Sequence, residues 1–285
     1  MTADGGREVR EELEEKLERA AEIINSSGRV VAFTGAGVSQ ESGIPTFRDP
    51  GGLWDRFDPY ELGGGDVFSA LAKGSGFTGR AADFLEEMIV VLERAEPNPG
   101  HRALVDLERM GILRSVITQN IDDLHRRAGN SRVIEVHGNA FRMLCLSCGR
   151  RFFMEKDELF GLGSEVVRLL RDNDLAGVLA RISLCGCGGP CRLDVVGFGE
   201  PVQQMGEAIH EARTCDCLLV LGTSGEVFPA NTIPSRARES GARVIEINAS
   251  HCCFSGLVDV GIVGRTGEIL PRIVEKVARW RGYRG

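Results

Sequence analysis

The chain has 285 residues, of which 42% are hydrophobic and 26% charged, and its formal net charge at pH 7 is −7. This composition is typical of a globular protein with a sizeable core, and no run approaches the roughly 18 apolar residues that a membrane span needs. A negative charge without a basic cluster disfavours binding to nucleic-acid phosphates. We therefore expect neither nucleic acid nor a membrane as a partner.

The cysteines indicate a reducing compartment. There are nine, an odd number, and five of them lie between Cys145 and Cys191. The N-terminal residues carry neither the apolar core of a signal peptide nor the arginine-rich pattern of a transit peptide. Metal binding and buried thiols are then favoured over a disulfide framework. We expect a cytoplasmic protein, with the nucleus as the alternative.

The first elements are a helix and a buried strand. Apolar residues recur at helical spacing over residues 7–24, and residues 29–34 form an apolar run that stops at Gly35, Ala36 and Gly37. Such a glycine pair permits a tight turn and a close approach to a ligand, and the N–H groups that follow suit a pyrophosphate. Gln40 stands where a dinucleotide fingerprint has its third glycine. On this motif alone, an ordinary structural turn explains the pattern equally well.

Residues 55–79 contain two glycine-rich stretches and predict a loop that could close over a ligand, or an ordinary irregular connection. Helical spacing returns over residues 81–94 and again over 101–110, with a proline-containing stop between them. Residues 113–118 then predict a short buried strand.

Polar residues follow two of the predicted strands. Gln119, Asn120 and Asp122 come directly after residues 113–118, and His137 ends the strand predicted over 132–136. The carboxyl ends of parallel strands are where open α/β sheets bind ligands, and imidazole, whose ordinary pKa lies near neutrality, suits a general base. Taken alone, the asparagine and aspartate could equally be helix caps, and a histidine at a strand end is usually structural.

A cysteine-rich segment follows. Cys145 and Cys148 form one C-x-x-C pair, and Cys185, Cys187 and Cys191 form a second cluster. Two such clusters predict a tetrahedral zinc–thiolate site, and four thiolates leave no open position on the metal, so the zinc is expected to be structural. A further helical stretch around 165–171 lies between the clusters.

The remaining pattern is that of a parallel sheet. Residues 216–221 and 243–248 read as fully buried strands, followed by a weaker strand at 258–263 and a closing helix over 269–281. The first of these strands runs into a turn of small residues, Gly222, Thr223 and Ser224.

Ordered motifs from Val30 to about Pro271 resemble the sirtuins, the NAD-dependent protein-lysine deacylases. The resemblance rests on the loop from Gly35 to Arg48 with Trp54 behind it, the run from Thr118 to His125, the pair His137 and Gly138, the cysteine clusters, and residues 194–200. It implies an α/β fold with a doubly wound, Rossmann-like parallel sheet and an inserted smaller zinc-binding and helical module. The boundaries implied are 1–28 for an N-terminal helix; 29–54, 98–140 and 192–285 for the NAD-binding domain; 55–97 for the helical part of the module; and 141–191 for its zinc-binding part.

The resemblance also assigns roles to residues. It makes His137 the general base, with Asn120 and Asp122 as its catalytic partners. The implied cofactor-binding residues are Gly35, Ala36, Gly37, Ser39, Phe47, Arg48, Gln119, Asn120, Ile121, Asp122, Gly222, Thr223, Ser224, Asn248 and Arg265. The substrate would pair, as an added β-strand, with Val195, Val196, Phe198, Gly199 and Glu200. The implied zinc ligands are Cys145, Cys148, Cys185 and Cys187, with Cys191 as the alternative to Cys185.

The implied reaction consumes NAD as a co-substrate and yields nicotinamide, O-acyl-ADP-ribose and free lysine from an acylated-lysine protein or peptide. The branch of the family that removes negatively charged acyl groups carries a tyrosine and an arginine where this chain has Leu85 and Met88. We therefore expect acetyl or longer apolar acyl groups.

Three alternatives stay open at this stage. An ADP-ribosyltransferase would use the same NAD pocket with a different nucleophile. A nicotinamide dehydrogenase would fit only the first glycines. A non-catalytic, NAD-sensing zinc module would bind both ligands without chemistry.

Overall fold

The computed structural model describes residues 3–45 and 75–283. The strands are β1 Val30–Thr34, β2 Leu113–Thr118, β3 Val133–Glu135, β4 Gly138–Cys145, β5 Arg151–Phe153, β6 Cys191–Val195, β7 Cys217–Leu221, β8 Arg243–Asn248 and β9 Val260–Val263. The α-helices are α1 Ala3–Ser26, α2 Ser75–Arg94, α3 Pro99–Arg109, α4 Leu124–Ala128, α5 Lys156–Arg171, α6 Leu175–Ile182, α7 Met205–Thr214, α8 Ile233–Glu239 and α9 Thr266–Arg281.

Six strands form a parallel sheet in the order β3-β2-β1-β7-β8-β9. The chain builds outward from β1 in one direction, then returns to the other side of β1 with β7. This arrangement is the doubly wound topology predicted from the sequence, and it creates a switch point beside β1.

The central strands are largely apolar because both faces of this sheet are covered. Alternate residues point to opposite faces, so Val30 and Ala32 pack against α1, α3 and α9, whereas Val31 and Phe33 pack against α7 and α8. A strand buried on both sides has no reason to alternate with polar residues, which explains why β1 reads as one apolar run.

A second, antiparallel sheet in the order β5-β4-β6 belongs to a smaller module. Helix α5 packs along α2, and α6 packs against α5, so these helices form the rest of that module. Its apolar core has one cluster beside the cysteines and another between the three helices.

Two boundaries differ from the sequence prediction. Helix α2 begins at Ser75, inside a stretch predicted as loop from its glycines. The helix predicted at 165–171 begins at Lys156, and α6 follows it after a short break. The predictions for Phe47, Arg48, Trp54 and the first glycine-rich stretch lie outside the described residues.

None of the described helices is long and apolar enough to cross a membrane.

Candidate active site

Four loops meet at the carboxyl edge of the parallel sheet. Thr34 is level with Thr118 and with Leu221, and Leu221 is level with Ile247. The loops that begin at Gly35, Gln119 and Gly222, and the end of β8 at Asn248, therefore start from one edge. This is the switch point at which α/β sheets of this topology bind nucleotides.

A cavity of about 870 Å³ opens at this edge. Its volume lies within the range of small-molecule and cofactor sites. It brings together most of the residues predicted for the site: Gly35, Ala36, Gly37, Gln119, Asn120, Ile121, His137, Val195, Val196, Phe198, Gly199, Glu200, Gly222, Thr223, Ser224, Asn248 and Arg265. Ser39 and Asp122 do not line the cavity, and Phe47 and Arg48 lie outside the described residues.

The glycines allow the loops after β1 and β7 to touch. A Cβ atom on Gly35 would lie 2.8 Å from the Gly222 carbonyl oxygen, and one on Gly37 would lie 2.8 Å from the Gly222 Cα. The Gly37 N–H donates to the Gly222 oxygen at 2.8 Å, and the Gly35 N–H donates to the Leu221 oxygen at 3.0 Å. The sequence predicts that amides of this turn suit a pyrophosphate, but these two bind the protein's own backbone.

Ser39 and Asp122 hold the Asn120 side chain in place through a chain of hydrogen bonds. The Asn120 amide donates to the Gly35 oxygen at 3.1 Å and to Ser39 Oγ at 3.0 Å, and the Ser39 hydroxyl donates to Asp122 Oδ2 at 2.6 Å. The other carboxylate oxygen accepts the Leu124 N–H at 2.9 Å. Burial raises the pKa of Asp122 above its usual value, while these hydrogen bonds oppose the rise. The arrangement holds the Asn120 amide at the cavity wall.

Thr223, in the loop after β7, links that loop to the loop after β2 and to the end of β8. Its hydroxyl accepts a hydrogen bond from Gln119 Nε2 at 2.8 Å, and its carbonyl oxygen accepts one from Asn248 Nδ2 at 2.8 Å. Both amide side chains therefore keep fixed positions beside the cavity.

Within the described ranges, His137 has one ring nitrogen without a hydrogen-bond partner. Its Nδ1 lies 3.0 Å from the Gln119 carbonyl oxygen. A carbonyl only accepts, so the proton sits on Nδ1 and the lone pair on Nε2. Burial lowers the pKa of His137, and the hydrogen bond to Gln119 acts in the opposite direction. The imidazole is thus neutral at physiological pH and can take a proton at Nε2.

The predicted substrate segment lies on an edge strand. Among the strands of residues 3–45 and 75–283, β6 is an edge strand of the small sheet, in the order β5-β4-β6. Its continuation is hydrogen-bonded to the histidine, because the Val196 N–H donates to the His137 oxygen at 2.9 Å. An edge strand can accept an extended peptide as a further strand. Glu200 serves the loop itself, since it forms a bidentate pair with Arg192 at 2.9 Å for both bonds and accepts the Gly197 N–H at 3.0 Å.

Four cysteines from two hairpin-like turns form a thiol cluster. The sulfur atoms of Cys145, Cys148, Cys185 and Cys187 all lie within 4.8 Å of one another. The Sγ–Sγ distances are 3.6 Å for Cys145–Cys187 and 3.6 Å for Cys148–Cys185. Tetrahedral zinc with Zn–S bonds of about 2.3 Å needs edges of about 3.8 Å, so the cluster fits the metal. The fifth thiol, Cys191, is buried outside this set of four and points to the Gly189 oxygen.

Two buried histidines, His101 and His125, lie close to the carboxyl end of β1. The rings of His101 and His125 are 4.8 Å apart between centroids, and His125 Nε2 lies 2.9 Å from Thr34 Oγ1 at the end of β1. His101 is the N3 residue of α3, and its Nδ1 accepts the Asn98 N–H at 3.3 Å in a capping box. Burial lowers the pKa of His101 to about 4 and the pKa of His125 well below its ordinary value.

This pair predicts a loss of stability in mild acid. Between pH 6.5 and about 4 the unfolded chain binds a proton at His101 that the folded chain does not, so the free energy of unfolding falls as pH drops through this window. The slope from this one group is at most about 1.4 kcal/mol per pH unit. Urea unfolding at pH 7.5, 6.5 and 5.5 measures it. His101→Gln keeps a capping-box residue and should flatten the dependence, whereas the exposed His210→Gln should not; equal pH profiles for the wild type and His101→Gln would contradict the interpretation.

Several cavity residues were not predicted from the sequence. They come from the loops at Glu226 and His251, where a single residue carries no recognisable pattern, and from the facing sides of α2 and α5. The helical spacing of α2 identifies an apolar face but not whether it contacts the core or a cavity.

Comparison with known proteins places this geometry in a family context. A family model described as Sir2 family matches residues 35–229. A protein of Desulfosudis oleivorans named NAD-dependent protein deacylase is 48% identical, with 94% of this chain and 98% of that protein covered. A Pyrobaculum aerophilum protein named NAD-dependent protein deacylase 2 is 44% identical, with 91% and 95% covered.

Solved structures give the same result. A Sir2 homologue in complex with NAD superposes with a TM-score of 0.74 at 33% identity, covering 92% of this chain and 94% of the other. The structure of Sir2Af2 bound to a myristoylated histone peptide superposes with a TM-score of 0.66 at 36% identity, covering 94% and 99%.

Proposed function

This chain belongs to the Sir2 family, and we propose that it removes acyl groups from protein lysine side chains in an NAD-dependent reaction. One water is consumed, and the products are nicotinamide, O-acyl-ADP-ribose and free lysine. One observation carries the proposal: a neutral imidazole with a free Nε2 lines the same cavity as the Asn120 amide and the edge strand that can pair with a peptide. A module that only senses NAD has no use for this combination.

The proposed roles follow from the contacts. NAD, when bound, supplies the ribose that accepts the acyl oxygen and the nicotinamide that leaves. His137 Nε2 takes the proton of a ribose hydroxyl, and the Gln119 oxygen keeps the imidazole in the required tautomer. Asn120 orients the ribose, while Ser39 and Asp122 act by holding Asn120 in place.

The cavity wall supports the remaining cofactor assignments. Gly35, Ala36, Gly37 and Ser224 bring backbone close to the ligand, and Arg265 supplies a positive charge to the cavity wall. Phe47 and Arg48 keep their predicted cofactor roles as proposals from the sequence. The domain boundaries inferred from the sequence are likewise proposed.

Zinc has a structural role in this proposal. The four thiols that fit it come from the turns that end β4 and precede β6. The metal would therefore fix the strand that presents the substrate edge, without an open coordination position for chemistry. We also propose a cytoplasmic location, because all nine cysteines are free thiols, as expected in a reducing compartment.

Acyl-chain preference follows from an arm of the cavity that runs between α2 and α5. We define this acyl arm by residues that are all apolar: Ala81, Phe84, Leu85, Met88, Ile89, Leu92, Leu159, Phe160, Leu162, Gly163, Val166, Leu170 and Ile182. Leu92 packs in the apolar cluster that includes Leu124, with Ile121 against it, and Ala81 packs against the other cluster, about 16 Å away along the helix. A saturated chain of about a dozen carbons, at about 1.3 Å per methylene, spans that length. We propose that long apolar acyl groups occupy this arm.

The test follows nicotinamide release and peptide mass together for one lysine peptide carrying acetyl, butyryl, decanoyl, tetradecanoyl or succinyl groups. We expect the KM for the peptide to fall with apolar chain length, since each buried methylene contributes about 0.8 kcal/mol, and to level off once the arm is filled. Succinyl should react poorly because the described residues of the arm offer no cation.

Leu85→Trp shortens the arm and should slow the tetradecanoyl peptide about tenfold or more by excluding several methylenes, with acetyl turnover within about twofold. Val90→Trp, on the exposed side of the same helix, is the matched control. Release of nicotinamide with ADP-ribose attached to protein would instead indicate an ADP-ribosyltransferase. No release from bound NAD would contradict both activities.

A further inference from the structure

Arg142, Glu135 and Asp194 form a buried cluster of charges close to the proposed active site. Arg142 Nη1 donates to Glu135 Oε2 at 2.7 Å, and its Nε donates to Asp194 Oδ2 at 2.6 Å. The two carboxylate side chains are 3% and 1% exposed, and the arginine side chain is 13% exposed. Buried ions are costly unless paired with good geometry, so a cluster of this kind calls for a specific role.

The two carboxylates stand next to the two functional segments. Glu135 ends β3, two residues before His137. Asp194 lies in β6, one residue before Val195, which begins the proposed substrate edge. Arg142 therefore links β3, which leads to His137, with β6, which leads to the proposed peptide-pairing edge.

Backbone pairing fixes only one end of this junction. The Val196 N–H donates to the His137 oxygen at 2.9 Å, and Gly138 and Asn139 pair with Val195 and Asp194. Gly138 has a φ of +81°, and a Cβ there would lie 1.9 Å from the backbone carbonyl oxygen of Asp194. Beyond Asn139 the β4–β6 register shifts, and Arg142 lies within that irregular stretch. A bulge leaves ladder hydrogen bonds unmade, so side chains contribute to holding the two strands together there.

The remaining oxygens of the carboxylates are also used. Gln203 Nε2 donates to Asp194 Oδ1 at 2.8 Å, and Asn139 and Arg126 donate to Glu135 Oε1 at 2.7 and 3.0 Å. Burial acts to raise the pKa of Asp194, but the hydrogen bonds from Arg142 and Gln203 outweigh it and leave the pKa below its usual value. Asp194 is therefore held as an anion beside the guanidinium, and all four carboxylate oxygens of Asp194 and Glu135 have hydrogen-bond partners.

We propose that Arg142 is a positioning residue that, together with the backbone hydrogen bond from Val196 to His137, holds the substrate-pairing edge at Val195 and Val196 in place beside His137. The inference rests on the proposed deacylase function. It predicts a selective effect on peptide binding, because the loops that surround the NAD region are tied by separate contacts through Ser39 and Thr223.

The experiment compares Arg142→Met, Arg142→Lys and Arg151→Met with the wild type, measuring the KM for an acylated peptide, the KM for NAD, kcat and Tm. Arg151 also donates to Asp194 Oδ2, at 2.9 Å, but its side chain is 50% exposed and it makes no contact with Glu135 among the described residues. The Arg151→Met variant therefore removes a cation from Asp194 but keeps the contacts of Arg142 with both Glu135 and Asp194.

For Arg142→Met we expect the peptide KM to rise about 10- to 100-fold, the scale of a misplaced substrate, with the KM for NAD within about twofold. Arg151→Met should stay within about twofold of the wild type in both. Arg142→Lys should fall between, because one ammonium cannot make the two directed contacts of a guanidinium. If Arg142→Met does not fold, the lysine variant carries the test.

A lowered Tm with an unchanged peptide KM in either folded variant would overturn the proposal and leave Arg142 a purely structural residue. Equal increases in the two KM values would do the same. A wild-type chain that releases no nicotinamide would overturn the proposed function, and the positioning role with it. A failure of the function is thus distinguishable from a failure of the bridge.

Discussion

His137→Ala should reduce lysine deacylation by about 10²- to 10⁴-fold while NAD still binds. The imidazole supplies the free Nε2 lone pair at the cavity wall, and alanine removes it without disturbing the Asn120–Ser39–Asp122 contacts. Free-lysine formation, followed by peptide mass, measures the loss, and calorimetric titration with NAD checks binding.

The exposed histidine variant His210→Ala is the control and should retain wild-type turnover. Because burial lowers the pKa of His137, the midpoint of the acid limb of the activity profile should lie below the ordinary pKa of histidine, where the ring becomes protonated. Unchanged turnover of a pure His137→Ala sample would remove this residue from the mechanism.

Loss of zinc should unfold the smaller module. Metal binding to a tetrathiolate site is worth about 10–16 kcal/mol in favourable cases, which is comparable with the whole net stability of a typical domain, about 5–15 kcal/mol. Cys185→Ser should lower the bound zinc from one equivalent to a small fraction and abolish deacylation, because β6 loses its anchor at the thiol cluster.

Cys191→Ser is the matched variant, since this buried thiol lies outside the cluster of four. It should keep its zinc and most of its stability. Zinc content by atomic absorption, together with thermal unfolding before and after chelation, distinguishes the two. Loss of zinc from Cys191→Ser with retention in Cys185→Ser would show that Cys191 is the third ligand instead.

Local patterns in the sequence were sufficient for the elements and for much of the site. The apolar runs at β1, β2, β7 and β8 identify strands buried on both faces, and the polar residues that follow them mark the carboxyl edge of a parallel sheet. Cysteine spacing likewise indicates zinc, because ligands close in sequence stay close in space.

Other features depended on distant segments meeting. The contact of Gly35 and Gly37 with Gly222 explains the glycines by close packing between two loops, a cause that neither loop reveals. The support of Asn120 by Ser39, and the acyl arm between α2 and α5, arise in the same way.

The sequence by itself determined the family, the parallel α/β sheet, the cysteine clusters and the identity of His137 as the candidate base, because each depends on residues adjacent in the chain. Only the tertiary structure decided the tautomer of His137, the set of four thiols that excludes Cys191 and the bridge from Arg142 to Asp194. The physical reason is that hydrogen bonds and metal geometry are fixed by distances across strands, and those distances are set by how the sheets pack.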